Sequence, residues 1–484
     1  MKRLIFTLPF VLSACVVGRD YQPPEMPVPS KWSENVATQK IPDQWWQTFN
    51  DMTLNGLMNE AIAANLNLKQ ALSRVKEARI LRSETIATGL PTLSGKNMAS
   101  RRFNNSSVGG GSPSGSQAIN IFQLGFDAAW ELDFFGGIQR AIEAADASID
   151  TEVENSRDVL LTLQGDVARE YITLRANQQL AATHQSLLAA QAETVKLTQI
   201  RQQSGLANAL EIAQAQAQWD NTAANSPRYE TEIKHAIHAL SVLLGREPNA
   251  LAKRFSDTKP IPNASLALTN LPSELLQRRP DIRRAERQMA GANAQVGIAT
   301  AELYPKVNLA AFIGLQNLKI TDFTPMGKSW SSASTITMPL FNWGKLHANI
   351  QAKDAQYEQT FLAYQSTVLT AFQEVENVLV AHRNEAQRYN ALTLAISSNQ
   401  TALDLATERY NKGLTGFIEV LQAQQAMYQT QIAQVESLAN VAQFNVALHK
   451  ASGGGWQTEP RVAEPEKQNL IESVFSKLEE KHEQ

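Results

Sequence analysis

The 484-residue chain has one cysteine, no block of like charge and no apolar run long enough to cross a bilayer as a helix. Each absence removes a class of protein. A single cysteine excludes structural disulfides. With 44 basic residues against 47 acidic ones, spread along the chain, the electrostatic footprint of a nucleic-acid binder is missing. A helical membrane span needs about 20 consecutive apolar residues, and no segment offers them. Catalytic sets are equally scarce. No nucleophile-plus-base arrangement is legible, as a lipid-anchored hydrolase would require, and no Gly-rich phosphate loop appears. His235 and His238 sit three apart, as helical metal ligands can, but no third ligand joins them and they read as surface histidines. The 9 methionines form no cluster, which gives no support to a soft-metal relay. Arg278 to Arg287 reads as an extended Arg-Pro pair opening a helix, with solvated arginines paired to Asp281 and Glu286. No cofactor or metal is called for.

Glycine and proline are missing from two long stretches. Residues 345 to 412 contain neither, and residues 138 to 204 contain only Gly165. At 1.5 Å per residue such a helix reaches roughly 100 Å, far beyond globular helices of 10–14 residues. It must pack lengthwise on others. Leu392, Ile396, Asn399, Leu403, Ala406 and Tyr410 supply a coiled-coil seam with one polar member.

What is present begins with an internal repeat at a constant offset of 208 residues (205 to 413). Arg201-Gln-Gln-Ser-Gly205-Leu206 recurs as Arg409-Tyr-Asn-Lys-Gly413-Leu414, and the register holds from Asp166-Val167 against Glu374-Val375 to Gly245 against Gly453. Glu211 meets Glu419, and Gln214-Ala-Gln216 meets Gln422-Ala-Gln424. Each half predicts an entry helix (Leu54 to Ile86; Asp281 to Leu303), a hairpin of extended runs after Pro91 or Pro305, a very long helix, a Gly turn and a shorter helix.

The extended runs carry the second clue. From Gln123 to Asp133, Leu124, Phe126, Ala128, Trp130 and Leu132 fall on one face and polar or small residues on the other. That alternation fits a transmembrane β-strand of about 9–11 residues. A half-buried soluble strand alternates as well, and this run alone leaves both readings open. Val307 to Leu315 and Ser331 to Leu340 alternate less cleanly, and the loop Asn104 to Ser116 is polar and flexible. Two hairpins make four strands, whereas about eight are needed to close a membrane barrel. If the strands cross a membrane, several chains must share one barrel. Three copies would give twelve strands; the residues themselves require only more than one.

At the N-terminus, Lys2 and Arg3 precede the apolar run Leu4 to Val11 and then Leu12-Ser-Ala-Cys15, the pattern of a secretory signal. Leu-Ser-Ala-Cys closely resembles the bacterial lipobox, in which the Cys becomes the lipidated first residue. Val16 follows rather than an inner-membrane-retaining Asp, which points to the outer membrane.

Trp130-Glu-Leu-Asp-Phe-Phe-Gly136, Arg278-Arg-Pro-Asp-Ile-Arg-Arg-Ala-Glu286, Ala299 to Tyr304-Pro305, Pro339-Leu-Phe341 with Gly344, and Ser452-Gly-Gly-Gly-Trp456 complete the pattern. From the lipobox to about residue 457 the chain resembles the TolC-type outer-membrane factors, nearest the OprM-like lipoprotein branch that serves resistance–nodulation–division efflux pumps. The resemblance implies a mixed membrane protein: long α-helices forming a periplasmic helical barrel, and a 12-stranded transmembrane β-barrel shared by a homotrimer. On that plan residues 1–14 are signal peptide, 15–60 the anchored N-terminal segment, 61–245 repeat 1, 246–275 an equatorial connector, 276–455 repeat 2 and 456–484 an equatorial tail. Leu470, Ile471, Val474, Phe475 and Leu478 give that tail a short amphipathic stripe. The implied role is the exit channel of a tripartite system with a periplasmic adaptor and an inner-membrane pump, conducting drugs or other small amphipathic compounds. Metal-ion export and type I protein secretion share the fold, and a lipid-anchored coiled-coil scaffold is the reading from another class.

The resemblance also places residues. Arg201, Gly205, Leu206, Arg409, Gly413 and Leu414 fall at the periplasmic tips where the adaptor docks. For the gate, the acidic place falls on Glu211, the Tyr place on Tyr410 and an entrance acid on Glu419. The Arg place falls on Thr415, a departure from the pattern, and a further acidic place falls on Gln422. The second hairpin has the bulkier tip, with Tyr410 against Gln202 and Phe417 against Ala209. A constriction is expected there.

Overall fold

A computed structural model describes residues 16–34, 43–104, 117–263, 272–322 and 327–458. Cys15, the loop 105–116 and the tail beyond 458 lie outside the described residues. Helices α1 (Met52–Ala64) and α2 (Leu66–Thr88) lead into strands β1 (Thr92–Asn104) and β2 (Gln117–Leu132), followed by α3 (Gly137–Gln203), α4 (Ala209–Ala223) and α5 (Ser226–Leu243). The second half runs α6 (Pro272–Arg278), α7 (Pro280–Ala301), β3 (Lys306–Asn317), β4 (Lys328–Thr337), α8 (Lys345–Asn411) and α9 (Phe417–Ala451). Of the described residues 69% are helical and one four-stranded sheet is present among them, and no described helix is long and apolar enough to cross a membrane.

The repeat is visible in the backbone. Both α3 and α8 are 67 residues long and start and stop at the same offset. Left-handed glycines punctuate both halves at matching places, Gly136 and Gly344 (φ 76 and 77), Gly205 and Gly413 (φ 72 each), and Gly245 and Gly453 (φ 66 and 71). Gly165 does not interrupt α3; its missing side chain faces Lys450 Cδ. One expectation fails here. The run Leu54 to Ile86 is two helices, because Asn65 ends α1 in an extended conformation and then caps α2, accepting from the Leu68 amide at 2.9 Å. Its side-chain Nδ2 donates to the Leu243 carbonyl at 2.9 Å, which joins that break to the end of α5.

The sheet is antiparallel throughout, in the order β1-β2-β3-β4, which leaves β1 and β4 as its edges. Phe126 stands opposite Ile313 and Trp130 opposite Leu309, so Leu124, Phe126, Trp130 and Leu132 share a face with the apolar side chains of β3. Leu124, Phe126 and Trp130 are exposed and Leu132 half-buried. The opposite face carries Asp127 bonded to Lys96 at 2.8 Å. Two strand ends differ from the sequence reading. β2 begins at Gln117, since Ile119 and Ile121 reverse the parity without ending the ladder. β4 stops at Thr337, before Pro339, which lacks a ladder donor. Gly125 and Gly314 face each other across β2 and β3, with the Phe312 ring lying against both.

Three apolar clusters hold the helices. The largest joins Trp45, Trp46 and Phe49 to α1, α3, α5 and α9, with Leu251, Phe255 and Ile261 of the connector. A second lies between α6, α7 and α8 and receives Met26, Val28 and Trp32 of the N-terminal strap. The third is at the far end of the long helices. The strap descends along α7 and α8: Arg19 donates to Asn293 at 2.8 Å, Tyr21 to Glu286 at 2.5 Å, and Arg383 to Glu34 at 2.6 Å.

The arginines of α7 are not simply solvated. Arg279 is 7% exposed and holds Asp281 (2.6 Å), Glu374 (2.7 Å) and the Ala451 carbonyl (2.9 Å). Arg283 and Arg284 bridge to Glu154 and Asp158 of α3 at 2.7 and 3.0 Å. The expected pairs with Asp281 and Glu286 are present, but the cluster cross-braces three helices, which spacing along one helix does not reveal. A deep position costs less when such a charge is fully paired.

His449, stacked on Trp45 at 4.9 Å, gives a pH dependence. Burial pulls its pKa from 6.5 to about 4. The unfolded chain then takes up the proton first, so this stabilisation is complete above about pH 6.5 and fades as pH falls toward 4. His184 and His382 are shifted the same way by burial. The thermal midpoint of the purified protein is expected to fall across that window, and His449→Gln to reduce the slope. An unchanged slope would refute the assignment.

Candidate periplasmic gate

At the far end of the long helices the chain turns back twice by the same device. The Leu206 amide donates to the Arg201 carbonyl (2.8 Å) and the Gly205 amide to Gln202 (2.8 Å); Leu414 to Arg409 (2.9 Å) and Gly413 to Tyr410 (3.0 Å) repeat it. This is the Schellman arrangement, which satisfies the last carbonyls of α3 and α8 and requires a left-handed residue at the glycine. Open space surrounds both glycines, and Leu206, Arg409 and Leu414 are exposed at the tips. Asn208 starts α4 by accepting from the Glu211 amide at 3.0 Å.

Between the tips lies a small polar and aromatic cluster. The Tyr410 hydroxyl of α8 donates to Glu211 Oε2 of α4 at 2.7 Å. The Arg201 guanidinium of α3 lies over the Tyr410 ring, 4.5 Å from its centroid, and Phe417 of α9 packs against the same ring at 5.3 Å. Burial first, then the Glu211 carboxylate, pushes the Tyr410 pKa up to about 12, with Arg201 pulling the other way. The hydroxyl therefore stays protonated and can only donate toward Glu211. Val195, Ala215 and Val420 close the apolar side of the cluster. Farther along, Gln424 donates to Thr194 (3.2 Å), Gln218 to Gln425 (2.8 Å), and the polar seam residue Asn399 to Thr430 (2.7 Å).

Glu211 and Tyr410, which the resemblance assigns to one gate, are in contact. Thr415 does not join them: its hydroxyl donates to Glu419, one turn on in α9, and Glu419 is exposed. Arg201, expected on the docking surface, is half-buried over Tyr410. A cation thus stands at the cluster, supplied from α3 rather than from position 415. Sequence reasoning missed this contact and a second cluster, where His184 of α3 meets Tyr428 (2.8 Å) and Ser226 (3.0 Å). Neither has a local signal, since the partners are far apart in the chain. Among the described residues no group of side chains could hold a metal ion.

Comparison with known proteins matches the outer membrane efflux protein family over residues 57–246 and 271–454. The chain belongs to that family. It is similar to Nodulation protein T of Rhizobium leguminosarum bv. viciae, 31% identical over 482 residues and 98% of each chain. It is also similar to the solvent efflux pump outer membrane protein SrpC of Pseudomonas putida, 30% identical over 92% of this chain and 96% of the other. Among solved structures, the outer-membrane channel OprN superposes with a TM-score of 0.86 at 29% identity, covering 92% of this chain and all of that one. The protein is thus an outer-membrane efflux channel component whose four strands and long helices are one subunit's share of a β-barrel and a helical barrel.

Proposed function

We propose that this chain forms a homotrimeric duct, anchored through a lipidated Cys15, that carries small amphipathic compounds from a periplasmic adaptor and inner-membrane pump across the outer membrane. The observation that carries the reading is the Tyr410–Glu211 contact at 2.7 Å, which ties the tip of one helical hairpin to that of the other. A closed duct needs such a tie, and an opening duct must break it. Tyr410 and Glu211 form the lock, and Arg201 steadies the Tyr410 ring from above. Gly205, Leu206, Arg409, Gly413 and Leu414 offer the adaptor two identical turns with exposed leucines. The relative named for solvent efflux supports amphipathic cargo. The gating test is the Tyr410→Phe leak measurement developed in the Discussion.

Glu419 makes an independent test. In a trimer it sits three times near the entrance, held by Thr415, and a ring of carboxylates favours cations. Glu419→Gln is expected to lower the cation preference of the channel in asymmetric salt across a planar bilayer. An unchanged reversal potential would remove Glu419 from the entrance.

A further inference from the structure

We propose that Trp343 anchors the contact between protomers, seated on the turn at Leu90-Pro91 of a second copy of this chain. The proposal rests on the trimer above and specifies how its subunits join. Each repeat has an entry side (α2 and β1, or α7 and β3) and an exit side (β2 and α3, or β4 and α8). Inside the protomer, the exit side of repeat 1 packs on the entry side of repeat 2, β2 on β3 and α3 on α7. The sheet ends at β1 and β4. Closing it therefore sets the exit side of repeat 2 against the entry side of repeat 1 in the next copy, again antiparallel.

The inner seam shows what such a junction contains. Phe135, just before the left-handed Gly136, stacks on Tyr304 with ring centroids 4.8 Å apart and planes 25° from parallel. Tyr304 precedes Pro305 in the turn from α7 into β3. In repeat 2 the same place, just before the left-handed Gly344, belongs to Trp343, which is 89% exposed. Leu340 and Phe341 beside it are 88% and 75% exposed. The counterpart of Tyr304-Pro305 is Leu90-Pro91, in the turn from α2 into β1. That turn is pinned by the Trp130 indole donating to the Gly89 carbonyl at 2.9 Å, and Leu90 is 40% exposed. One edge of the chain thus presents a ring in need of a seat, and the other edge a seat in need of a ring. Large apolar side chains at the centre of such a contact carry most of its affinity.

The two seams differ in detail: Trp343 is itself left-handed (φ 54) and leans on the Phe341 ring with centroids 4.9 Å apart, and the bracing differs as well. The inner one is braced by the N-terminal strap, with Val16 against Gly136 and Arg140 donating to the carbonyls of Val17 (3.1 Å) and Gly18 (3.2 Å). At the outer one Ala348 stands at the place of Arg140, so no guanidinium is there to hold such a strap. Aromatic packing has to do there what the strap does inside.

Paired cysteines in the full-length chain test this. Trp343→Cys with Leu90→Cys, oxidised in isolated outer membranes, is expected to give reductant-sensitive dimers and trimers on a denaturing gel. Phe135→Cys with Tyr304→Cys is the control, expected to close within one chain without a change of mass. Monomers only from the first pair, with the control closed and the wild-type protein trimeric by native mass, would overturn the proposal. A wild-type protein that is not trimeric would overturn the trimer and the seam with it. Trp343→Ala is expected to abolish trimers that resist detergent, and Trp343→Phe to keep them. If Trp343 faced only lipid, the alanine variant would stay as resistant as wild type, which also contradicts the proposal.

Discussion

Tyr410→Phe is expected to raise the open probability of the reconstituted channel on the order of a hundredfold, without loss of trimer. The substitution removes one hydroxyl and leaves the ring, its contact with Phe417 and its place under Arg201 unchanged. The bond lost runs to a carboxylate at 2.7 Å, and such bonds contribute about 1.5–3 kcal/mol. Glu211 is only half-buried, so water can replace the donor in part and about 1 kcal/mol per subunit is a fair figure. If three tips open together the costs add, and each 1.4 kcal/mol is tenfold in population. Glu211→Gln should act more weakly, because an amide oxygen still accepts from Tyr410. Arg201→Ala should also act more weakly, since a half-exposed cation over a ring contributes about 0.5–1 kcal/mol. Single-channel recording across a planar bilayer reads all three. A Tyr410→Phe trimer as quiet as wild type would remove Tyr410 from the gate.

Gly314→Ala is expected to abolish most assembled trimer in the outer membrane. A Cβ at Gly314 would lie 2.3 Å from the Leu124 carbonyl oxygen and 2.6 Å from the Gly125 Cα; one at Gly125 would lie 2.4 Å from the Ile313 oxygen. These are backbone atoms of the paired strand, so no side-chain rotation relieves the clash and β2 must part from β3. In lipid each separated ladder group is left without a partner, at several kcal/mol apiece. Gly95 supplies the control, because nothing lies within 4 Å of its missing Cβ. Gly95→Ala should assemble as wild type does. Normal yields of heat-sensitive trimer from Gly314→Ala would show that the two strands are not so closely paired.

Much of the fold was legible because glycine and proline mark it so plainly. The empty stretches before Gly205 and Gly413 set the two long helices nearly to the residue. The break at Asn65 was hidden because its cause is a bond to Leu243 on another helix. The tip pair Glu211 and Tyr410 came from the resemblance to the TolC-type factors, carried onto this chain by position relative to the two glycines; the repeat alone pairs Glu211 with Glu419 and Tyr410 with Gln202. Arg201 was assigned outward for the same reason its true contact was missed: a cation over a ring on another helix leaves no mark in spacing. Burial of Arg279 likewise depends on Glu374 and Ala451, which only the packed helices bring near.

The central claim is that four strands from each of three chains close one barrel around a duct whose tips meet at Tyr410. Electron cryo-microscopy of the purified full-length protein in detergent tests it most directly. The expected result is a threefold particle with twelve continuous strands, β4 beside β1 of the neighbouring subunit, and helical tips converging on the axis at the opposite end. A particle of another symmetry, or one in which β1 and β4 of a single chain pair with each other, would contradict it.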